Sequence, residues 1–197
     1  MNKSAYRHER DALERIRAAI PDTDPWRAWT NFAFATATGR LFEVDLLITA
    51  PGGLHLVELK SWRGRLTATE SGWVQTNESN EQIAHGRPLQ PALHKSTALT
   101  RLLAAAGEHV AVRPLLCLSN DRLEVELPGS YLRHTLSVGS LVRRLSRPTH
   151  IACHRMTRHR VDGIERALAS VGIAPPGQQL PSEWLGGEPV PGFMGIT

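Results

Sequence analysis

The chain has only two cysteines in 197 residues, Cys117 and Cys153. They share no CxxC spacing, which argues against a disulfide framework and predicts two reduced thiols. No apolar run reaches membrane-spanning length, and Met1-Asn2-Lys3-Ser4 does not lead into a signal-peptide core. The expectation is a cytoplasmic protein that makes no use of a membrane. Internal repeats and low-complexity tracts are also absent, which sets aside solenoids and arrays. Lysine is scarce beside arginine, and the formal net charge is +4. That balance suits a polyanionic partner without requiring one.

What is present is an ordinary globular composition and enough chain for one core. Residues 1–173 read as one domain. Residues 174–197 change character, with Pro175, Pro176, Pro181, Pro189 and Pro191 among glycines. That stretch predicts a linker or tail without a core of its own, leading to a further domain.

The chain is organised around residues 43–60. Two apolar strands flank Pro51-Gly52, good central residues for a tight turn because Pro fixes φ and Gly tolerates positive φ. With Ala50 facing Gly53, counting outward sets Asp45 opposite Glu58. Directly opposed residues on antiparallel strands share a face. Lys60 lies two residues beyond Glu58 and points the same way. Two carboxylates and an ammonium thus converge where a core residue would be expected. Such a cluster is costly to bury without a purpose, and holding a divalent metal is the obvious one. A plain salt bridge between Lys60 and Glu58 would leave Asp45 as a second, unpaired acid.

The other elements follow from periodicity. Ser4 to Ile20 reads as a helix ended by Pro21, with Ala5, Ala12, Leu13, Ile16, Ala19 and Ile20 on one stripe. Glu9 falls inside that stripe and Glu14 opposite it. An acid on a buried helical face is a functional candidate, although an arginine partner at the stripe's edge would also explain it. Strands are expected at Ala28 to Ala35, Leu41 to Ala50, Leu54 to Lys60, Leu66 to Thr69 and Gly72 to Thr76. In Leu41 to Ala50, Phe42, Val44, Leu46 and Ile48 are assigned to one face and Glu43, Asp45 and Leu47 to the other. Residues 77–87 read as a loop. Pro88 to Ala106 reads as a helix with Lys95 on or beside its apolar stripe. Val110 to Ser119 reads as a buried strand and Leu123 to Leu127 as an edge strand. Ser137 to Leu145 reads as a helix. His150 to Arg155 reads as a last short strand, and Thr157 to Val171 as a helix with Val161, Ile164, Leu168 and Val171 inward.

The order of helix with Glu9, strand with Asp45, turn, and strand with Glu58-Leu59-Lys60 resembles the PD-(D/E)xK nuclease superfamily. More narrowly, Phe42-Glu43-Val44-Asp45-Leu46-Leu47-Ile48 and Gly53-Leu54-His55-Leu56-Val57-Glu58-Leu59-Lys60-Ser61-Trp62-Arg63-Gly64-Arg65-Leu66 resemble the nuclease-related domain family, NERD. The Trp62-Arg63-Gly64 continuation is most similar to the N-terminal domain of serine/threonine kinases from bacterial phage-growth-limitation, BREX-like defence systems. The resemblance covers about residues 1–175. It implies an α/β fold with a restriction-endonuclease-like core, a central mixed β-sheet flanked by helices. It also implies metal-binding acids at Asp45 and Glu58, a catalytic lysine at Lys60, a helix-one glutamate at Glu9 and Mg²⁺ or Mn²⁺ as cofactor. DNA would be the partner, and a kinase domain would follow.

Two functional classes result. One is a metal-dependent nuclease in which Arg63, Arg65 and Lys95 contact the phosphate backbone. The other is a nucleic-acid-binding or regulatory module that keeps the fold but cleaves poorly. Taken singly, Arg63, Arg65, Arg143, Arg144 and Arg147 read as a solvated basic face. A zinc site from His150, Cys153, His154 and His159 is a weaker idea, since the spacing matches no closed structural site. Cys117 reads as an inert core thiol.

Overall fold

The computed structural model describes residues 3–148 and 155–173, with side chains from His8 onward. The tail 174–197, most of the strand expected at His150 to Arg155, and three of the four zinc candidates, His150, Cys153 and His154, lie outside the described residues.

The chain runs α1 (Lys3–Ala19), β1 (Arg27–Ala35), β2 (Leu41–Ala50), β3 (Gly53–Lys60), β4 (Arg65–Thr69), β5 (Gly72–Thr76) and β6 (Gln82–Gly86). It continues through α2 (Leu89–Ala105), β7 (Val112–Leu118), β8 (Glu124–Glu126), α3 (Gly129–Leu132), β9 (Thr135–Ser137), α4 (Val138–Ser146) and α5 (Arg158–Ser170). A five-stranded mixed sheet has the order β1-β2-β3-β7-β9, antiparallel up to β3 and parallel beyond it. In a four-stranded sheet, β6-β5-β4-β8, the first three strands lie in the crossover between β3 and β7, and β8 follows β7. This is the expected mixed α/β core with helices on both faces.

Each face has its own apolar cluster. On one, Leu54 and Leu56 of β3 meet Leu99 and Leu103 of α2 and Val161, Ile164 and Leu168 of α5. On the other, Val57 and Leu59 meet Ala12 and Ile16 of α1 and Leu141 and Leu145 of α4. β3 is therefore covered on both sides and reads as a nearly continuous apolar run. Emptying one such site, as in Leu56→Ala, costs about 2–5 kcal/mol. Leu116 and Leu118 join Leu66 and Trp73 beneath the second sheet.

The hairpin register is the expected one, running from Ala50↔Gly53 to Leu46↔Val57. The turn works differently from the sequence expectation. Positive φ falls on Gly53 (123°), not on Gly52. Gly52 is needed for proximity instead: its N–H donates to the Leu145 carbonyl, and a Cβ there would stand 3.1 Å from the Arg147 carbonyl oxygen.

The assignment of Phe42, Val44, Leu46 and Ile48 to one face does not hold. Phe42 and Val44 pack on the α2 side, whereas Leu46 and Ile48 pack on the α1 side, and Leu47 joins Val44. The strand changes face at Asp45. At the same level across the ladder, Asn31 sits between the pairs Thr30↔Leu46 and Phe32↔Val44 with a left-handed φ of 50°, a region that Asn tolerates.

Three smaller departures have simple reasons. Part of the segment read as a loop forms β6, an exposed edge strand whose composition is too polar to advertise a core face. The three-residue β9 and four-residue α3 are too short for periodicity to register. Val171 is exposed at the C-cap of α5 rather than inward.

Candidate active site

The β2–β3 ladder stops one residue short of the Asp45–Glu58 position. There the Asp45 side chain takes over: its Oδ2 accepts the Leu59 N–H at 2.7 Å. A strand residue's N–H and C=O project to the same side, so the Leu59 carbonyl also faces the gap beside Asp45. The Lys60 carbonyl turns the other way and accepts the Ser119 N–H at 2.9 Å.

Glu58 and Lys60 continue the Leu54, Leu56 alternation and so lie on the α2 face. Glu58 is 6% exposed. Its Oε1 accepts from Lys95 Nζ of α2 at 2.6 Å. Glu9 comes from α1, in the opposite helical layer. Its carboxyl is pushed above the ordinary glutamate range by burial first and by Asp45 second, with Lys60 pulling it down and Glu58 adding to the rise. Glu58 is raised by burial and then by Asp45, against the Lys95 hydrogen bond and the Lys60 charge. Both helical layers and the sheet between them therefore deliver charge to one end of the sheet. Three acids share this end with two ammonium groups.

The structure thus brings Glu9, Asp45, Glu58 and Lys60 within electrostatic reach of one another and adds Lys95 to the group. It does not add the arginines equally. Arg65 is held on the surface by Glu124 and Glu126. Arg63 is exposed and its guanidinium lies 3.3 Å from His8 Nε2, one residue from Glu9. Lys95, expected on a phosphate path, pairs with Glu58 of the acid cluster.

Four site-lining residues, Trp62, His85, Pro88 and Pro91, were not assigned to a site from the sequence. A cleft of about 310 Å³ is lined by Glu58, Lys60, Trp62, His85, Pro88 and Pro91. Trp62 lies in the Trp62-Arg63-Gly64 run that carries the family resemblance, without a site role assigned to it, and His85 lies in β6. Their rings stack with centroids 4.0 Å apart.

The donor chemistry fits a hard divalent cation. Asp45 Oδ2 and Glu58 Oε1 are engaged, and among the described residues no hydrogen bond holds the second oxygen of either carboxylate. Mg²⁺ needs only one or two carboxylates beside water and phosphate oxygens. A closed site is a different matter: among the described residues, no three His, Cys, Asp or Glu side chains are grouped to hold a metal. Cys117 is buried, and burial pushes its thiol up to about 12, which suits an inert core residue.

The family model for the nuclease-related domain, NERD, matches residues 4–119. This chain belongs to the NERD family. The matched span holds every residue of the charged cluster just described. Over 174 residues the chain is 40% identical to the probable kinase PglW of Streptomyces coelicolor, covering 88% of this chain and 11% of the relative. The NERD chain therefore spans about a tenth of that relative's length. No solved structure matches. No helix among the described residues is long and apolar enough to cross a membrane.

Proposed function

We propose that this NERD domain is a Mg²⁺- or Mn²⁺-dependent nuclease acting on DNA phosphodiester bonds. The observation that carries the reading is the meeting of Glu9, Asp45, Glu58 and Lys60 at one end of the sheet, with Asp45 anchored on the Leu59 N–H. Asp45 and Glu58 would hold the cation through their remaining oxygens, with the Leu59 carbonyl as a third oxygen donor. The bound cation supplies Lewis acidity and a more acidic water. Lys60 orients that water and offsets charge on the scissile phosphate. Glu9 accepts hydrogen bonds from water or from the Lys60 ammonium. Arg63, beside His8, is the arginine best placed for the phosphate backbone. Arg65 would have to leave its acid partners to join it, and Lys95 its ion pair with Glu58.

The test is incubation of supercoiled, linear and single-stranded DNA with the protein and Mg²⁺ or Mn²⁺, beside the Lys60→Ala variant. Metal-dependent cleavage that Lys60→Ala removes is the expected result. No cleavage of any DNA form at high protein concentration would sink the reading.

A second reading is favoured by one specific contact. The 2.6 Å Lys95–Glu58 pair already neutralises one of the two metal-holding acids. A DNA-binding module that cleaves weakly and signals to a linked kinase domain in a defence system would keep such a pair. It would bind DNA with an affinity that falls steeply with salt, yet leave the DNA intact.

A further inference from the structure

The cleft beside the charged cluster has a lining of two kinds. Glu58 and Lys60 are charged, whereas Trp62, His85, Pro88 and Pro91 bring rings. Its volume of about 310 Å³ lies at the low end of the range for pockets holding one small molecule, about 300–1,000 Å³. That is the size class of a single nucleotide and far below what a duplex needs.

The aromatic pair is fixed in place. The Gln75 amide donates to the Arg63 carbonyl at 2.7 Å, which turns its Oε1 towards His85 Nε2 at 2.8 Å. Since Oε1 can only accept, His85 Nε2 carries the hydrogen, and the ring is oriented by a two-step hydrogen-bond chain. Burial and then the nearby Lys60 charge both lower the His85 pKa. The ring lies nearly parallel to Trp62, with an 18° interplanar angle, and Trp62 in turn meets Trp73 edge-on at 6.3 Å. Trp73 is 2% exposed and anchors the stack in the core of the second sheet.

A flat, pre-oriented aromatic pair in one cleft with an acid and a lysine matches an unpaired base beside its own phosphate. We propose that the cleft takes one unstacked nucleotide of single-stranded DNA, its base against the Trp62–His85 stack and its phosphate towards Lys60. This rests on the nuclease reading for the phosphate's position but not for the base's. Base–aromatic stacking tolerates any sequence, so the preference is for strand state rather than base identity.

The experiment measures binding separately from cleavage. The 197-residue chain is titrated in Ca²⁺, taken here as a non-catalytic ion, against a fluorescent single-stranded oligonucleotide and against the same sequence as a blunt duplex. Wild type should bind the single strand at least about tenfold more tightly. Trp62→Ala should weaken single-strand binding about 5- to 150-fold and leave duplex binding unchanged. Trp62→Phe should retain most of the affinity, and His85→Ala, which removes the partner ring without touching the core, should reproduce part of the loss. Equal affinity for both strand states, no measurable binding of either, or a Trp62→Ala and His85→Ala pair that bind like wild type would overturn the inference. The Lys60→Ala cleavage result is independent of all of these outcomes.

Discussion

Strand β3 buries two titratable side chains three residues apart, and they are treated in opposite ways. His55 is 3% exposed, and among the described residues no side chain hydrogen-bonds either of its ring nitrogens. Burial, then the Arg113 charge and more weakly that of Arg144, lower its pKa to about 4, with the Gly52 backbone offsetting this in part. His55 is simply kept neutral, among residues that pack the sheet. Glu58 is equally buried but lies on the other face, meets Lys95 at 2.6 Å, and borders a cleft shared with Lys60. Burial of a polar group therefore does not mark a site. A site is marked by several such groups whose charges depend on one another and which face open space.

Substitutions at the two positions should separate by what they change. The largest effect falls on activity. Lys60→Ala should lower metal-dependent cleavage at least about 100-fold, with unfolding midpoints close to wild type, whereas His55→Leu should leave cleavage intact. A fall in cleavage with His55→Leu in a folded protein would break the comparison.

Next in size is the ion pair. Lys95→Met leaves the Glu58 carboxylate buried and unpaired, and should cost about 3 kcal/mol in urea unfolding at neutral pH. Without Lys95 the acid titrates higher in the folded state than in the unfolded chain. The deficit should therefore shrink as pH falls and Glu58 takes up a proton. The double variant Lys95→Met/Glu58→Gln should recover most of the loss, and failure to recover it would mean that Lys95 acts through other contacts.

His55 predicts a loss of similar origin and opposite pH sense. Its folded pKa of about 4 lies below the unfolded value. Between these values the unfolded chain binds a proton that the folded protein refuses. Stability should fall by about 2 kcal/mol from pH 7 to pH 5 on account of this residue. Urea titrations of wild type and His55→Leu across that range should show the slope in the first and its reduction in the second.

The smallest effect belongs to Glu9. Its raised pKa means that the charged form is disfavoured in the fold, so Glu9→Gln should raise the melting temperature at pH 7, on the order of 1 °C. The gain should vanish at pH values where Glu9 is protonated in both states. A clear drop in melting temperature would show that Glu9 is held by a favourable partner.

Much of the charged cluster was legible because it is coded by local rules. Turn chemistry and a period of two place Asp45 across from Glu58, and a period of 3.6 places Glu9 on the buried stripe of α1. The face change at Asp45 was not legible, since a simple period of two does not register a break in alternation such as the one met here opposite the left-handed Asn31. Asp45, whose side chain accepts the Leu59 N–H, lies at that same level of the ladder. The Lys95–Glu58 pair was half visible: the stripe placed Lys95 at the buried face, but nothing local says which acid it meets. The stacking of Trp62 on His85 was not legible because it joins the segment after β3 to an exposed edge strand through pairing in the second sheet.

The account stands on Asp45 and Glu58 holding a divalent cation together. Titration calorimetry of Mn²⁺ into the protein, beside Asp45→Asn, tests this most directly. The account predicts saturable binding in wild type that Asp45→Asn weakens severely while the protein stays folded. No binding in wild type, or binding that Asp45→Asn leaves unchanged, would contradict it.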